Sequence, residues 1–187
     1  SYRPLTAGDW VVSLSSLAHK WSGIRFHDLN ATKRYDKRLA YGQSKLANIL
    51  FALELHRRAG DAGVDVRSIA VHPGYAATNL QSVGPQMSGS RVGVAMMSVV
   101  NRVLAQSAEA GAWPTLMAAT DPDVASGTFI GPTGLKGARG KPGFETPSEA
   151  ARDVDAARRL WDVTVDTCRA GWSRCWSRRS RSVRSRA

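Results

Sequence analysis

Apolar residues along this chain follow two spacings, one typical of amphipathic helices and one of buried strands. The clearest helical segment is residues 39–59, where Leu46, Ile49 and Leu53 lie three and four positions apart. Gly60 follows this segment and predicts its end. Short apolar runs predict strands at residues 10–14, 64–71 and 128–130, and helical spacing predicts further helices at residues 92–104, 108–119 and 152–165.

The alternation of strands and helices predicts an α/β fold with a parallel sheet of about three strands. Ser16 and Pro73 each come just after a predicted strand. Because ligands of open α/β sheets collect outside the carboxyl ends of the strands, we expect both residues to face one cleft. The glycine-rich stretch at residues 131–140 contains proline and opens no predicted helix, so it is predicted to be a surface loop.

Candidate chemistry lies near the start of the predicted helix, where Tyr41 precedes Lys45 by four residues. Side chains at this spacing lie one above the other on a helix, and an ammonium close to a phenol favours the phenolate. Such a pair can give or take a proton during a reaction. The same spacing is also common among solvated surface neighbours, so the surrounding residues decide between the two interpretations.

The surrounding segments resemble the short-chain dehydrogenase/reductase superfamily, most closely its retinol-dehydrogenase-like branch, between about residues 11 and 162. The resemblance implies a Rossmann-like fold and hydride transfer between NAD or NADP and a small lipophilic alcohol, aldehyde or ketone. The segments that carry it are Ser15-Ser16-Leu-Ala-His19, Phe26-His-Asp-Leu29, Arg34-Tyr35, Ala40-Tyr41-Gly-Gln-Ser-Lys45-Leu-Ala-Asn48, His72-Pro73-Gly74-Tyr-Ala-Ala-Thr78 and Ser126-Gly-Thr-Phe-Ile-Gly-Pro132.

By this resemblance, Tyr41 is the proton donor or acceptor, Lys45 supports it and binds the nicotinamide ribose, and Ser16 orients the substrate oxygen. The resemblance also implies cofactor contacts from Tyr41, Lys45, Pro73, Gly74 and Thr78.

Structural alternatives exist for several of these residues. Ser16 could cap a turn, Thr78 could cap the segment that follows it, and Pro73-Gly74 is a common turn dipeptide. Residues 79–90 are rich in Gly, Ser and Pro and predict a lid over the cleft.

Members of this family place a glycine-rich, pyrophosphate-binding turn after their first strand, and no such pattern opens a helix here. We therefore expect a truncated Rossmann-like domain that lacks the N-terminal half of the cofactor site. The 187-residue chain is predicted to bind a dinucleotide weakly. The alternative is a non-catalytic fragment or a degenerate paralogue. Residues that would distinguish NAD from NADP would lie upstream of Ser1, and the family resemblance implies a homodimer.

The formal net charge is +11, of which +7 comes from arginines within residues 168–187. This composition predicts a Rossmann-like region at residues 1–165 and a basic, disordered tail at residues 166–187, which a shifted reading frame could have produced. Nucleic-acid binding by the tail is the weaker alternative. Cys168 and Cys175 lack zinc-ligand spacing and are interpreted as unpaired thiols of a cytoplasmic protein. No apolar run reaches the length of a membrane span.

Overall fold

A computed structural model describes residues 5–75 and 106–184, with side chains as far as Arg169. Thr78, the predicted lid and the predicted helix at residues 92–104 lie outside the described residues. The described strands are β1 (Asp9–Leu14), β2 (Val66–Val71), β3 (Phe129–Gly134) and β4 (Arg139–Phe144). The helices are α1 (Lys37–Asp61), α2 (Ala108–Thr120) and α3 (Val154–Arg184), with short 3-10 helices at Leu17–Lys20, Leu135–Gly137 and Glu149–Arg152.

The described strands form one sheet in the order β1-β2-β3-β4. β1, β2 and β3 are parallel, whereas β4 runs antiparallel to β3. The α/β fold with a Rossmann-like parallel sheet is confirmed, although the described sheet has four strands and not three. Leu14 is opposite Val71 in the register, so β1 and β2 end side by side.

The prediction of a surface loop at residues 131–140 was wrong. Most of this stretch belongs to β3 and to the start of β4, which pair from Ile130–Phe144 to Gly134–Arg139 with an irregularity near Pro132. Gly134 allows this close pairing, because a Cβ there would lie 2.7 Å from the carbonyl oxygen of Arg139. Glycine and proline thus shape an edge hairpin here.

Two apolar cores lie on opposite faces of the sheet. One core joins α1 and α3 to the sheet, and the other joins α2 to it. The strand β2 contributes to both faces and is buried along most of its length, as expected for a central parallel strand. The first core contains Leu46, Ile49, Leu50, Ala52, Ala70, Phe129, Ala151 and Ala157, and the second contains Ile69, Val71, Ala118, Val124 and Ile130.

Helix α1 is longer than its apolar spacing predicts. It begins at Lys37 because the carboxylate of Asp36 accepts hydrogen bonds from the amides of Arg38 and Leu39, at 2.9 and 3.1 Å. At its other end it continues through Gly60 to Asp61, and Gly63 takes the positive φ of +64°. The predicted end of the helix at residue 59 was therefore two residues too early.

Helix α3 extends through residue 165, at which the composition predicted the ordered region to end. Its first turns pack on α1, where Trp161 stacks on Phe51 with ring centroids 5.5 Å apart. The division of the chain at residues 165 and 166 stays a prediction.

Candidate active site

The site predicted from the sequence lies at the carboxyl ends of β1 and β2. Two hydrogen bonds tie the end of β1 to helix α1. The hydroxyl of Ser15 donates to the carbonyl of Lys45 at 2.8 Å, and the amide of Asn48 donates to the carbonyl of Leu14 at 2.8 Å. These bonds place the part of α1 from Lys45 to Asn48 beside the end of β1 and the loop that follows it.

Tyr41 and Lys45 share one face of α1, as their four-residue spacing predicts. The ammonium of Lys45 lies 5.5 Å from the centroid of the Tyr41 ring, within range of a cation–π contact. Tyr41 is 37% exposed and Lys45 is partly buried, so both side chains are within reach of a ligand. Trp21 lies beside them, with its ring centroid 6.4 Å from that of Tyr41.

Gly42 lets this turn of α1 approach the loop after β1 closely. A Cβ at Gly42 would lie 2.9 Å from the carbonyl oxygen of Ala18 and 3.2 Å from the Cβ of Trp21. Any larger residue would push the helix and the loop apart. The absent side chain therefore brings the Tyr41 turn against the short 3-10 helix that begins after Ser16.

Ser16 occupies the N-cap of the 3-10 helix Leu17–Lys20, where its hydroxyl accepts a hydrogen bond from the amide of Ala18 at 3.3 Å. The capping role considered from the sequence is thus present. This hydrogen bond leaves the hydroxyl hydrogen of Ser16 available, because a serine that accepts one hydrogen bond can still donate another. Ser16 and Tyr41 are brought to the same end of the sheet on adjoining segments.

Pro73 and Gly74 form a turn directly after β2. Gly74 has φ +65°, and a Cβ there would lie 2.5 Å from the carbonyl oxygen of Ala138 and 2.7 Å from Pro132. The side chain of Gln106 donates to the carbonyl of Pro73 at 2.8 Å. Glycine is therefore required at position 74 by packing within the protein itself as well as by the backbone angle.

Two buried histidines support the site and were assigned no role from the sequence. His19 is 1% exposed and His72 is 0% exposed. His19 contacts the backbone of Ser16, and His72 contacts the backbone of Gly74. Burial lowers the pKa of His19, although the hydrogen bond to the carbonyl of Ser16 acts in the opposite direction. Their positions within the segments that contain Ser16 and Gly74 were the only signal in the sequence.

Comparison with known proteins gives the chain its family. It is 35% identical over 162 residues to short-chain dehydrogenase TIC 32 B, chloroplastic, from Brassica napus, a match that covers 83% of this chain and 45% of that protein. It is 38% identical over 155 residues to human retinol dehydrogenase 13, covering 81% of this chain and 43% of that protein. No family model matches the chain.

A solved structure agrees with these matches. A crystal structure of an uncharacterised protein from Mycobacterium paratuberculosis is similar with a TM-score of 0.59 and 36% sequence identity, over 82% of this chain and 48% of that one. The chain thus spans about half the length of the relatives it matches. None of the helices within the described ranges has the length and hydropathy of a membrane span. The matched sequences and the shared fold together show that the chain belongs to the short-chain dehydrogenase/reductase superfamily, with a retinol dehydrogenase among the relatives it matches.

Proposed function

We propose that the protein carrying this chain is an NAD(P)-dependent oxidoreductase that interconverts an alcohol and a carbonyl group on a small lipophilic substrate. Ser16, Tyr41 and Lys45 are its proposed catalytic residues. The observation that carries the proposal is the position of the Lys45 ammonium, 5.5 Å from the centroid of the Tyr41 ring. Both residues lie on the helix that Gly42 brings against the 3-10 helix after Ser16. The family membership supports the same reaction class.

In the proposed reduction, the hydroxyl of Tyr41 donates its proton to the carbonyl oxygen of the substrate. In the oxidation, the Tyr41 oxygen takes the proton of the alcohol. Lys45 stabilises the phenolate form of Tyr41 in both directions, and Ser16 donates a hydrogen bond to the substrate oxygen. The dinucleotide supplies or accepts the hydride when bound.

The residues present suit one part of a dinucleotide. Lys45 is a partly exposed residue whose ammonium can donate to ribose hydroxyls, and the exposed side chain of Tyr41 lies beside it. Pro73 and Gly74 present a rigid backbone turn at the adjacent strand end, which would border the nicotinamide. Thr78, the remaining proposed contact, lies outside the described residues.

The proposal is tested by replacing the phenol alone. Because general acid–base groups contribute about 10²- to 10⁴-fold to a rate, Tyr41→Phe should lower kcat for carbonyl reduction by NADH or NADPH at least roughly a hundredfold. Tyr35→Phe is the matched control, since Tyr35 is 73% exposed and lies outside the proposed site. Its rate should stay close to that of the unchanged protein.

Two other outcomes would contradict the proposal, and they separate a wrongly assigned site from a non-catalytic protein. If the protein oxidises NADH or NADPH with a panel of aldehydes and ketones and Tyr41→Phe leaves the rate unchanged, the proposed site is wrong. If no member of the panel is reduced, the interpretation as a fragment or degenerate paralogue is favoured. The homodimer and the cytoplasmic location stay predictions.

A further inference from the structure

We propose that His19 and His72 are positioning residues that adopt opposite neutral tautomers. They hold two turns at a fixed separation: the turn after β1 that contains Ser16 (the Ser16 turn) and the turn after β2 that contains Gly74 (the Gly74 turn). Both histidines are anchored on one segment, residues 145–148, which follows β4. The role in catalysis rests on the proposed function, because it concerns the separation of the substrate-binding and nicotinamide-binding parts of that site. The tautomers themselves do not depend on it.

The contacts of His72 determine which of its ring nitrogens carries hydrogen. The amide of Gly74 donates to Nδ1 of His72 at 3.1 Å, so Nδ1 accepts and carries no hydrogen. The opposite nitrogen, Nε2, lies 3.2 Å from Oε2 of Glu145 and donates to this carboxylate oxygen. His72 is therefore the Nε2–H tautomer. The ring is fully buried and fills the space that a side chain at Gly131 would need.

The contacts of His19 require the other tautomer. Nδ1 of His19 lies 2.7 Å from the carbonyl oxygen of Ser16, which can only accept. The amide of Ser148 points to Nε2 of His19 at 3.4 Å, a long contact that uses Nε2 as an acceptor. His19 is therefore the Nδ1–H tautomer. Its lowered pKa, caused mainly by burial, agrees with a neutral ring.

One aromatic residue contacts both imidazoles and also the segment that anchors them. Phe129 packs against both rings, with centroids 5.5 Å from His19 and 5.2 Å from His72. The amide of Glu145 donates to the carbonyl of Phe129 at 2.9 Å. The segment 145–148 is thus fixed to β3, and each histidine transmits its position to one turn of the site.

This arrangement matters for the reaction because Ser16 would hold the substrate oxygen while the Gly74 turn would border the hydride donor. A change of about 1 Å in the separation of reacting groups can cost roughly a hundredfold in rate. Strands β1 and β2 fix the ends of the two turns, but the turns themselves extend beyond the sheet. The histidines supply the restraint that the sheet does not.

The first test reads the tautomers directly. Long-range proton–nitrogen correlation spectra of the full chain, labelled with ¹⁵N-histidine at neutral pH, distinguish a protonated Nδ1 from a protonated Nε2. Spectra of His19→Asn and His72→Asn assign the signals. We expect the Nδ1–H pattern for His19 and the Nε2–H pattern for His72. The same tautomer at both positions, or a protonated Nδ1 on His72, would overturn the proposal.

The second test uses two variants of His72 that each preserve one of its contacts. The oxygen of Asn can take the place of Nδ1 and accept from Gly74, whereas the longer Gln reaches toward Glu145 and leaves the Gly74 amide without its acceptor. Hydrogen exchange of the Gly74 amide should stay slow in His72→Asn. It should become up to about tenfold faster in His72→Gln, because the Gly74 amide loses its hydrogen-bond acceptor. Equal exchange rates in the two variants contradict the proposed contact.

The catalytic consequence is measured separately in the active protein. His72→Gln should lower kcat for carbonyl reduction about tenfold or more, whereas His72→Asn should stay within about threefold of the unchanged protein. If Tyr41→Phe abolishes activity while His72→Gln retains it, the positioning role fails and the proposed function stands. If Tyr41→Phe changes nothing, the proposed function fails whatever the tautomers are.

Discussion

At the scale of single residues, a buried neutral imidazole makes stability depend on pH in a range where carboxylates contribute little. His19 has an ordinary pKa of 6.5, and burial lowers it in the folded chain. The unfolded chain therefore binds a proton at a higher pH than the folded chain does. The stability associated with a neutral His19 is complete above pH 6.5 and decreases as the pH falls toward the lower folded-state pKa.

We predict that the free energy of unfolding falls between pH 7.5 and 5.5, by at most about 1.4 kcal/mol per pH unit for one proton. Urea denaturation at several pH values measures it. His19→Asn should reduce the dependence in this window, while His27→Asn, at an exposed histidine, should leave it unchanged. Asp28, Asp36 and Glu54 also have lowered pKa values, but these carboxyl groups titrate below this window. Parallel curves for the unchanged chain and His19→Asn would contradict the prediction.

The residues of the candidate site differ in how far the sequence alone could place them. Tyr41 and Lys45 were predicted to lie together because a spacing of four is fixed by the helix itself. The contact of His72 with Glu145 spans 73 positions and depends on how β4 returns beside β3. No local pattern encodes such a contact, so the positioning histidines emerged only from the folded chain.

At the scale of elements, helix α1 contains two glycines in opposite environments. A Cβ at Gly42 would lie 2.9 Å from the carbonyl oxygen of Ala18, whereas nothing lies within 4 Å of a Cβ at Gly60. Glycine costs a helix roughly 0.5–1 kcal/mol relative to alanine, so each has the same intrinsic penalty. Only at position 42 does packing against another segment require glycine.

We predict that Gly60→Ala stabilises the chain by about 0.5–1 kcal/mol, because it removes the helix penalty without a clash. Gly42→Ala should instead destabilise it by about 1–3 kcal/mol, because an inserted methyl group in a packed contact forces the backbone to move. Urea denaturation of both variants measures the difference. Equal stabilisation by the two substitutions would show that α1 does not approach the 3-10 helix that contains Ala18 as closely as described.

The elements that the sequence predicted best are those whose own residues determine them. Strands β1 and β2 and helices α1 and α2 were placed within a few residues by their apolar spacing. The strand β4 was missed because Gly140, Pro142 and Gly143 lower its intrinsic strand preference. It forms because β3 offers an edge to pair with, which is a tertiary effect.

At the scale of the whole molecule, strand β1 forms one edge of the described sheet. Among the described residues, β1 pairs with β2 alone, so the backbone groups on its other side face no described strand. Leu14, at the end of this strand, is 49% exposed. A parallel strand with an open side and apolar residues is a template for pairing with another chain.

We predict that the chain self-associates as its concentration rises and that Leu14→Lys weakens this association, because a charge at a strand edge opposes pairing. Sedimentation velocity over a range of concentrations measures the effect, with at least about a tenfold increase in the dissociation constant expected, or roughly 1.4 kcal/mol. Leu116→Lys is the matched control, because Leu116 is 55% exposed and lies on helix α2, not on the edge strand. A chain that stays monomeric at high concentration, or equal effects of the two lysines, would show that the edge of β1 is covered.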